Sequence, residues 1–325
     1  HQLSIRELAN LAMAYASSCF DHWSPQNQPQ GIAIFQGLQR EMTTRAQISL
    51  PRDVAMLEDL ASRVLDIVWA CNFSHQLAEE MFLSARRLLQ HIADAIQELV
   101  PGGSAASPVL AKQQGLEGDR HPGTPHHVHD LGDKGVVYKP PSFWQVDDGK
   151  DEPEDEALRL SQFTQAMQPV RQWPLMQDTR HARGFLHRLD IPTSGLVLVA
   201  KTHRSFYDLR LQLAVGQLQR EYCVLAHGRW SGEAQKELRS RVHWFGTGRQ
   251  AGSIVAPSGR VALSRVKLLG VGHRDGQAMS LLAVQIVTGR QHQIRLQMAH
   301  VGHPMVTDKR YFSSFNCMMD MRWCR

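Results

Sequence analysis

The sequence predicts an α+β protein with an all-helical N-terminal extension, and two observations support this fold class. Residues 3–100 carry apolar residues at helical spacing in successive segments. The second half instead carries runs of strand length near 221–227, 241–245, 260–269 and 279–287, with few helical segments between them. Sequential strands of this kind favour a central, mainly antiparallel or mixed sheet.

The N-terminal region is predicted to hold four helices, over 3–16, 32–42, 54–71 and 76–100, with breaks at Pro25, Pro29 and Pro51. The segments Glu7 to Phe20 and Asp59 to Phe73 are loosely alike. They resemble the paired-helix repeats of organellar RNA-binding solenoids such as the octotricopeptide class. A helical accessory domain without repeats is the alternative, and both interpretations stay open. Seven Arg, no Lys and eleven acids in residues 1–100 argue against tight RNA binding by this region alone.

Residues 101–134 are rich in Pro, Gly, Ser and His without periodicity, which predicts a flexible linker. The histidines at 121, 126, 127 and 129 invite a metal, but a flexible loop lacks the fixed geometry that metal sites need. The acidic run from Asp147 to Glu156 is predicted to be a solvated insertion that leads into a helix over Ala157 to Met167.

The most informative segment is HRLDIPTSGLVLVAK, from His187 to Lys201. Asp190 opens a turn that feeds the apolar run Leu196 to Ala200, which is predicted to be a buried strand. This arrangement holds a carboxylate rigidly at the mouth of a sheet, with the cation of Arg188 two residues away. Thr193 and Ser194 most simply hydrogen-bond the turn itself. After Lys201, Thr202 is predicted to cap a helix with an apolar stripe of Phe206, Leu209 and Leu213.

A second informative segment, TGRQHQIRLQMAHVGHPMVTD, runs from Thr288 to Asp308. Residues 291–301 are predicted to form a helix whose Ile294, Met298 and Val301 face the core. Arg290, His292 and Arg295 lie around its start, where backbone N–H groups and cations suit a phosphate or a carboxylate.

Both segments strongly resemble motifs of the RluA-type RNA pseudouridine synthases. The run VVYKP, from Val136 to Pro140, resembles the first strand and Lys-Pro of that family, and REYCVLAHG, from Arg220 to Gly228, resembles the strand with its active-site Tyr. The four segments follow the family's order and cover roughly residues 133–312. The expected organisation is a helical region over 1–100, a linker over 101–134 and a catalytic domain over 135–325 with the synthase-type central sheet and an RNA cleft across its middle.

The resemblance implies conversion of uridine to pseudouridine in RNA, with the target base flipped out of its stack. It implies that Asp190 is the essential carboxylate, either as nucleophile or as base, that Arg295 pairs with it, and that Tyr222 stacks on the base. Residues implied to contact RNA are Arg188, His187, Arg290, His292 and Lys139, and His187 is equally interpretable as a structural residue. No cofactor is implied.

Composition and charge limit the alternatives. The net charge of +5 hides an asymmetry, because residues 181–325 carry 21 bases and 8 acids, a net of +13. That charge fits a polyanionic partner, although a solvated basic surface without a partner is the alternative. The resemblance implies that the partner is RNA, either rRNA or tRNA. The five cysteines form no CxxC pair and give no disulfide framework, so a reducing compartment is the default. The sequence does not choose between cytoplasm, mitochondrion and plastid. No apolar run approaches the roughly 18 residues of a membrane span, and a monomer is expected.

Three further expectations concern rivals and termini. A synthase fold that has lost catalysis and only binds RNA is the first rival, disfavoured by the joint presence of Asp190, Tyr222 and Arg295. A metal hydrolase using His292, His300 and His303 is the second, disfavoured because no acid lies near before Asp308. The first residue is His and the chain stops where the family continues into a final strand, so a fragment is expected.

Overall fold

The computed structural model describes residues 3–21, 35–38, 40–41, 44, 50–100, 123–141, 144–146, 158–167, 173–231, 235–245 and 252–323. The chain divides into two compact units, residues 1–217 and 218–325. The predicted organisation into a helical region, a linker and a catalytic domain stays a proposal, and the division between the units lies inside the expected catalytic domain.

The N-terminal helices are α1 (Ile5–Asp21), α2 (Val54–Phe73) and α3 (Glu79–Leu99). The Asp53 side chain accepts a hydrogen bond from the Met56 N–H and so caps α2. One apolar face of α3 is buried against its neighbours, as the helical spacing predicts. Of the helix predicted over 32–42, residues 35–38 and 40–41 are helical and the rest lie outside the described residues.

The first unit also contains a three-stranded antiparallel sheet in the order β1-β2-β5, formed by β1 (His126–Asp130), β2 (Lys134–Lys139) and β5 (Gly195–Ala200). The predicted linker over 101–134 is wrong at its end, because strand β1 lies inside it. The His-rich sequence of β1 has no β periodicity, and the segment is a strand because it pairs with β2. Residues 101–122 and 147–156 lie outside the described residues. In β5, Val197, Val199 and Ala200 are buried but Leu196 is exposed, so the predicted buried strand is solvent-exposed near its start.

Between β2 and β5 lie the short parallel pair β3 (Trp144–Gln145) and β4 (Leu158–Arg159), helix α4 (Leu160–Met167) and two 3₁₀ turns, Pro174–Gln177 and Ala182–Gly184. Helix α5 (His203–Ala214) follows β5. Thr202 and Ser205 form a capping box at its start, and Phe206 and Leu209 are buried, as predicted.

The N-terminal helices pack on α5 within the first unit. The Arg204 guanidinium lies 2.8 Å from the Asp94 carboxylate on α3, and the Asn72 side chain on α2 donates to the Ala214 carbonyl oxygen at 3.4 Å. The helical extension therefore rests on the helix that follows the HRLD segment.

The second unit is built on a five-stranded antiparallel sheet in the order β6-β10-β9-β7-β8. Its strands are β6 (Arg220–His227), β7 (Gln235–Phe245), β8 (Gly252–Val255), β9 (Arg260–Arg274) and β10 (Gln277–Ile286). Helices α6 (Gln293–His300) and α7 (Ser314–Trp323) complete the unit.

Helix α6 is fixed to this sheet by apolar and polar contacts. Met298 is fully buried in a core cluster with residues of β6, β7, β9 and β10, and Ile294 packs against that cluster. The Gln297 amide donates to the Leu238 and Ala262 carbonyl oxygens at 3.2 and 3.0 Å. Val301 is exposed, which corrects its predicted place in the core. The helix ends at His300, so Val301 leaves the helical face.

No helix in the described parts of the chain is long and apolar enough to cross a membrane. Helices segregated from two mainly antiparallel sheets confirm the predicted α+β class.

Candidate active site

The predicted catalytic carboxylate lies in a tight turn just before β5. The Thr193 N–H donates to the Asp190 carbonyl oxygen at 2.9 Å, which closes the turn. Leu189 is buried directly before Asp190, and Asp190 itself is half-buried. A carboxylate whose backbone is held on both sides has little freedom to reorient, which suits a group that must meet a substrate atom in one geometry.

Lys139 fixes this turn from inside the unit. Its Nζ donates to the carbonyl oxygens of Ile191 at 2.8 Å, Thr193 at 2.6 Å and Pro140 at 3.1 Å. The residue is fully buried. Burial lowers the pKa of the Lys139 ammonium to about 8, although the charge of Asp190 acts in the opposite direction.

This burial corrects the prediction that Lys139 contacts RNA. A side chain with no exposed surface, whose ammonium serves three backbone carbonyls, is a positioning residue for the turn. No local sequence signal separates a buried lysine from an exposed one.

The residues before Asp190 are held by an unusual backbone. Ala182, Arg183 and Gly184 all have positive φ angles, 49°, 52° and 86°. A Cβ on Gly184 would overlap the Ala200 carbonyl oxygen at the end of β5, so only glycine fits this approach. Phe185 then forms a β-bridge with Val199, which lays the HRLD segment along β5.

His187 and Arg188 are both half-buried in this segment. The Leu198 N–H of β5 donates to His187 Nε2 at 3.4 Å, so His187 has a structural role in the first unit. The prediction that His187 and Arg188 contact RNA stays a prediction.

In the second unit, the predicted Tyr222 lies on β6, opposite Val284 of β10. It is half-buried and packs against the core cluster beneath the sheet. Its backbone is therefore fixed by an antiparallel neighbour, and stacking on a base stays a prediction for its ring.

Arg295 forms a two-pronged ion pair with Asp308. Its Nε and Nη2 donate to the two carboxylate oxygens of Asp308 at 2.8 and 2.9 Å, and the guanidinium lies 5.2 Å from the centre of the Tyr311 ring. Burial alone would raise the pKa of Asp308, but hydrogen bonds from Arg295 and from backbone N–H groups outweigh it and hold that pKa below its ordinary value. Asp308 thus orients Arg295, a contact that the sequence analysis missed.

Arg290 and His292 lie at the start of α6, as predicted. The Arg290 Nε donates to the Val261 carbonyl oxygen at 2.9 Å. Burial, and then the positive charges of Arg260 and Arg220, lower the pKa of Arg290 to about 10. His292 is left-handed at the N-cap of α6, and its Nδ1 lies 2.9 Å from the Tyr311 hydroxyl. Three mutually repelling guanidinium groups in one place create a positive potential that suits an anion.

The structure also brings together titratable residues that the sequence analysis did not single out. Asp178, His181 and His203 of the first unit offer ligand atoms that all lie within 4.8 Å of one another. The histidines of the disfavoured metal triad do not form such a group in the described residues: His292 meets Tyr311 and His303 meets the His227 carbonyl oxygen.

The site residues are thus arranged in two sets. Lys139 and the Asp190 turn meet in the first unit, and Arg295, His292 and Tyr311 meet in the second. The pairing of Asp190 with Arg295 stays a prediction of the resemblance.

Comparison with known proteins identifies the family. The model of the RNA pseudouridylate synthase family matches residues 136–300, about half of the chain. The chain belongs to the RNA pseudouridylate synthase family. This confirms the predicted resemblance, and the matched range includes every residue predicted for the site, from Lys139 to Arg295.

Similar members of the pseudouridylate synthase family come from bacteria. The chain is 31% identical over 126 residues to the ribosomal large subunit pseudouridine synthase C of Buchnera aphidicola, which is 39% of each chain. It is 34% identical over 132 residues to the ribosomal large subunit pseudouridine synthase D of Pseudomonas aeruginosa, 41% of this chain and 39% of that relative. Among solved structures, human RNA pseudouridylate synthase domain containing 1 aligns with a TM-score of 0.43 and 21% identity over 60% of this chain and 73% of its own.

The match therefore spans about two fifths of the length of these curated relatives. The N-terminal helices lie outside the matched residues 136–300.

Proposed function

We propose that this protein converts uridine to pseudouridine in RNA, with Asp190 as the essential carboxylate. The observation that carries the proposal is the Asp190 turn: a carboxylate fixed by a backbone hydrogen bond, with the buried Lys139 ammonium beneath it, inside the residues that match the family.

The reaction breaks the C–N glycosidic bond, rotates the base and forms a C–C bond. The target base must leave its stack to reach the enzyme, and a held carboxylate then acts on the nucleotide as nucleophile or base. Either role needs an ionised carboxylate in a fixed position. The turn supplies the position. Arg295 is proposed to supply a partner cation, itself oriented by Asp308.

Tyr222 is proposed to stack on the flipped base, because an aromatic ring accepts any base on its face. Arg188 is proposed to fill the space left by the flipped nucleotide, since a guanidinium is flat, cationic and stacks well. Both roles are carried over from the family motifs.

The deciding experiment is Asp190→Asn in the full chain. The amide keeps the shape of the side chain but removes its charge and its basicity. Release of tritium from RNA containing 5-tritiated uridine should fall to background, while RNA affinity stays near the wild-type value. Asp275→Asn, in the β9–β10 turn, is the matched control and should keep full turnover. Substantial turnover by Asp190→Asn would sink the assignment.

RNA as the partner is supported by the net +13 of residues 181–325 and by the three arginines near α6. RNA affinity should therefore fall steeply with salt, with a slope of about −0.7 per phosphate contact on single strands. Arg290→Gln should weaken binding and make this slope shallower by about one contact. A slope that is flat in the wild type, or unchanged in the variant, would contradict the proposed contact.

The RNA class is proposed from the relatives, whose names specify the ribosomal large subunit. Turnover on rRNA transcripts and on tRNA transcripts under identical conditions tests it, and preference for tRNA would assign the other class. A monomeric state is proposed as well, and light scattering during gel filtration measures it directly.

A further inference from the structure

A buried group of two histidines and two carboxylates lies in the first unit, outside the residues assigned to pseudouridine formation. Asp178 and His181 come from the segment around the second 3₁₀ turn, His203 begins α5, and Glu58 belongs to α2. His181 and His203 expose only 3% and 1% of their side chains, and Asp178 and Glu58 expose 22% and 24%.

The ligand atoms of Asp178, His181 and His203 lie within 4.8 Å of one another, and Glu58 Oε1 lies near this group, 3.9 Å from Arg180 Nη1. Asp178 Oδ2 lies 2.7 Å from His181 Nδ1 and 3.7 Å from His203 Nε2, and Glu58 Oε1 lies 3.9 Å from His181 Nδ1. Ligand atoms around a tetrahedral zinc ion, with bonds of about 2.0–2.1 Å, are separated by about 3.3 Å. Small side-chain adjustments would therefore bring these atoms to coordination distance.

The other nitrogen of each histidine ring already has a partner. His203 Nδ1 lies 2.9 Å from Gln97 Oε1, and His181 Nε2 lies 3.1 Å from the Tyr207 hydroxyl. Metal-binding histidines characteristically use their second ring nitrogen in this way, which fixes the ring orientation and the tautomer.

The tautomer of His203 makes the case specific. An amide oxygen only accepts hydrogen bonds, so His203 Nδ1 carries the proton, and in the neutral ring Nε2 presents a lone pair. This Nε2 is buried without a hydrogen-bond partner in the described residues, and it faces the oxygen of Asp178. Glu58 Oε1 is likewise buried without a hydrogen-bond partner there. The lone pair of His203 Nε2 and the Asp178 oxygen, 3.7 Å apart, repel each other unless a proton or a metal ion lies between them.

We propose that Asp178, His181, His203 and Glu58 bind one divalent transition-metal ion of the zinc class. Two imidazole nitrogens and two carboxylate oxygens are a suitable ligand set for such an ion, and their combined charge of −2 with neutral histidines balances it. Four protein ligands close the coordination sphere, so the ion has a structural role.

The position of the ligands defines what the ion would hold together. His181 directly precedes the three left-handed residues 182–184 that lead into the HRLD segment, whereas Glu58 belongs to the N-terminal helices. The ion would cross-link α2, α5 and this turn, and so fix the approach to the Asp190 segment within one unit. The inference rests on side-chain geometry alone and does not require that the protein be an active synthase.

The test is metal binding by the purified full chain after treatment with a chelator. We expect that after addition of Zn²⁺ and desalting, one zinc per chain is retained. With Co²⁺ as the probe, we expect visible d–d absorption typical of a tetrahedral nitrogen and oxygen site, without the near-ultraviolet charge-transfer band that a cysteine ligand would give. Zn²⁺ should raise the Tm, and Mg²⁺ at the same concentration should not.

Three variants locate the ion. His203→Gln, Asp178→Asn and Glu58→Gln should each bind Zn²⁺ at least ten-fold more weakly than the wild type. His273→Gln, an exposed histidine on β9, is the matched control and should bind normally. Circular dichroism confirms that each variant is folded.

Two results would overturn the proposal. One is that the wild-type chain retains no zinc and its Tm does not change with Zn²⁺. This position would then hold a hydrogen-bonded histidine network and not a metal site. The other is equal zinc retention by the wild type and by every folded ligand variant, which would place the bound metal elsewhere. If no ligand variant folds, the Tm and Co²⁺ spectrum of the wild type decide between these outcomes.

Discussion

Replacing Lys139 by Met should strongly lower turnover, and it should lower global stability by less than the loss of its three hydrogen bonds alone would. Methionine keeps most of the side-chain volume but cannot donate hydrogen bonds. Two of the three carbonyl groups that lose their donor, those of Ile191 and Thr193, belong to the Asp190 turn. Each buried acceptor left without a partner costs about 1–3 kcal/mol, so the turn loses about 2–6 kcal/mol of local stabilisation.

Global stability responds less, because the variant also removes a buried charge. Burial lowers the pKa of Lys139 from 10.5 to about 8. At about 1.4 kcal/mol per pKa unit, burying the charged ammonium costs the wild-type folded state roughly 3 kcal/mol. The methionine variant does not carry this cost. All three carbonyl oxygens lose their donor, which costs about 3–9 kcal/mol, so the net loss of unfolding free energy should be about 0–6 kcal/mol. Removing the cost of the buried charge does not replace the hydrogen bonds that hold the turn. The Asp190 carboxylate should therefore be misplaced in the variant, and kcat should fall about 10- to 100-fold.

The assay is tritium release at saturating RNA, beside an RNA-binding titration and a thermal melt. Lys201→Met is the matched control. Lys201 is also buried, 4% exposed, but its ammonium lies 2.8 Å from Asp130 and does not contact the turn. Lys201→Met should lose stability with little effect on kcat at a temperature where it is folded. If Lys139→Met turned over within two-fold of the wild type, the tether would have no catalytic importance.

The same lysine predicts a pH dependence. Its folded pKa of about 8 lies below the ordinary value of 10.5, so the unfolded chain binds an extra proton between these two pH values. The wild-type free energy of unfolding, relative to that of Lys139→Met, should therefore rise by up to about 3 kcal/mol from pH 8 to pH 10.5. Chemical denaturation across this range measures the difference. A constant difference would show that the ammonium keeps its ordinary pKa.

Two further predictions concern the backbone and the second unit. Gly184→Ala should destabilise the chain by about 3 kcal/mol or more, because the new Cβ would overlap the Ala200 carbonyl oxygen. Gly216→Ala, at φ 71° and with only the Asn72 amide nitrogen near, at 3.9 Å, should cost about 1–2 kcal/mol. Similar losses of stability for both variants in thermal melts would contradict the overlap. Asp308→Asn should lower the free energy of unfolding by about 2–4 kcal/mol at pH 7, because it breaks the ion pair with Arg295. The variant should also lose part of the acid sensitivity, since a carboxylate with a lowered pKa stabilises the fold above about pH 4 and loses that contribution as the pH falls. Identical acid denaturation curves for variant and wild type would refute the role of this ion pair.

The parts of the molecule that the sequence predicted well are those with local signals. Helical spacing located α2 and α3, and the Thr202 cap located α5 within one residue. The features it missed depend on partners distant in the chain. Strand β1 exists because β2 pairs with it, although its own HHVHD sequence lacks any strand pattern.

The same distinction applies to the candidate site. The HRLD motif located Asp190, but nothing local indicated that Lys139 would be buried beneath it, 51 positions earlier in the chain. Asp308 was visible as the last residue of the segment Thr288 to Asp308, whereas its two-pronged contact with Arg295 depends on how the chain turns after α6. The group formed with His203 joins residues 25 positions apart whose spacing matches no metal motif.

The packing of the N-terminal helices on α5 limits how the helical extension can be deleted in an experiment or gained and lost in evolution. His203, Arg204 and Ala214 on one face of α5 have their partners on α2 and α3, at Gln97, Asp94 and Asn72. A chain begun at residue 130 would uncover that face and leave the buried His203 without its amide partner. The helical extension is therefore not a detachable module. Its gain or loss over evolution would require compensating changes on the surface of α5, and deletion experiments that ignore this would measure damage to the rest of the first unit.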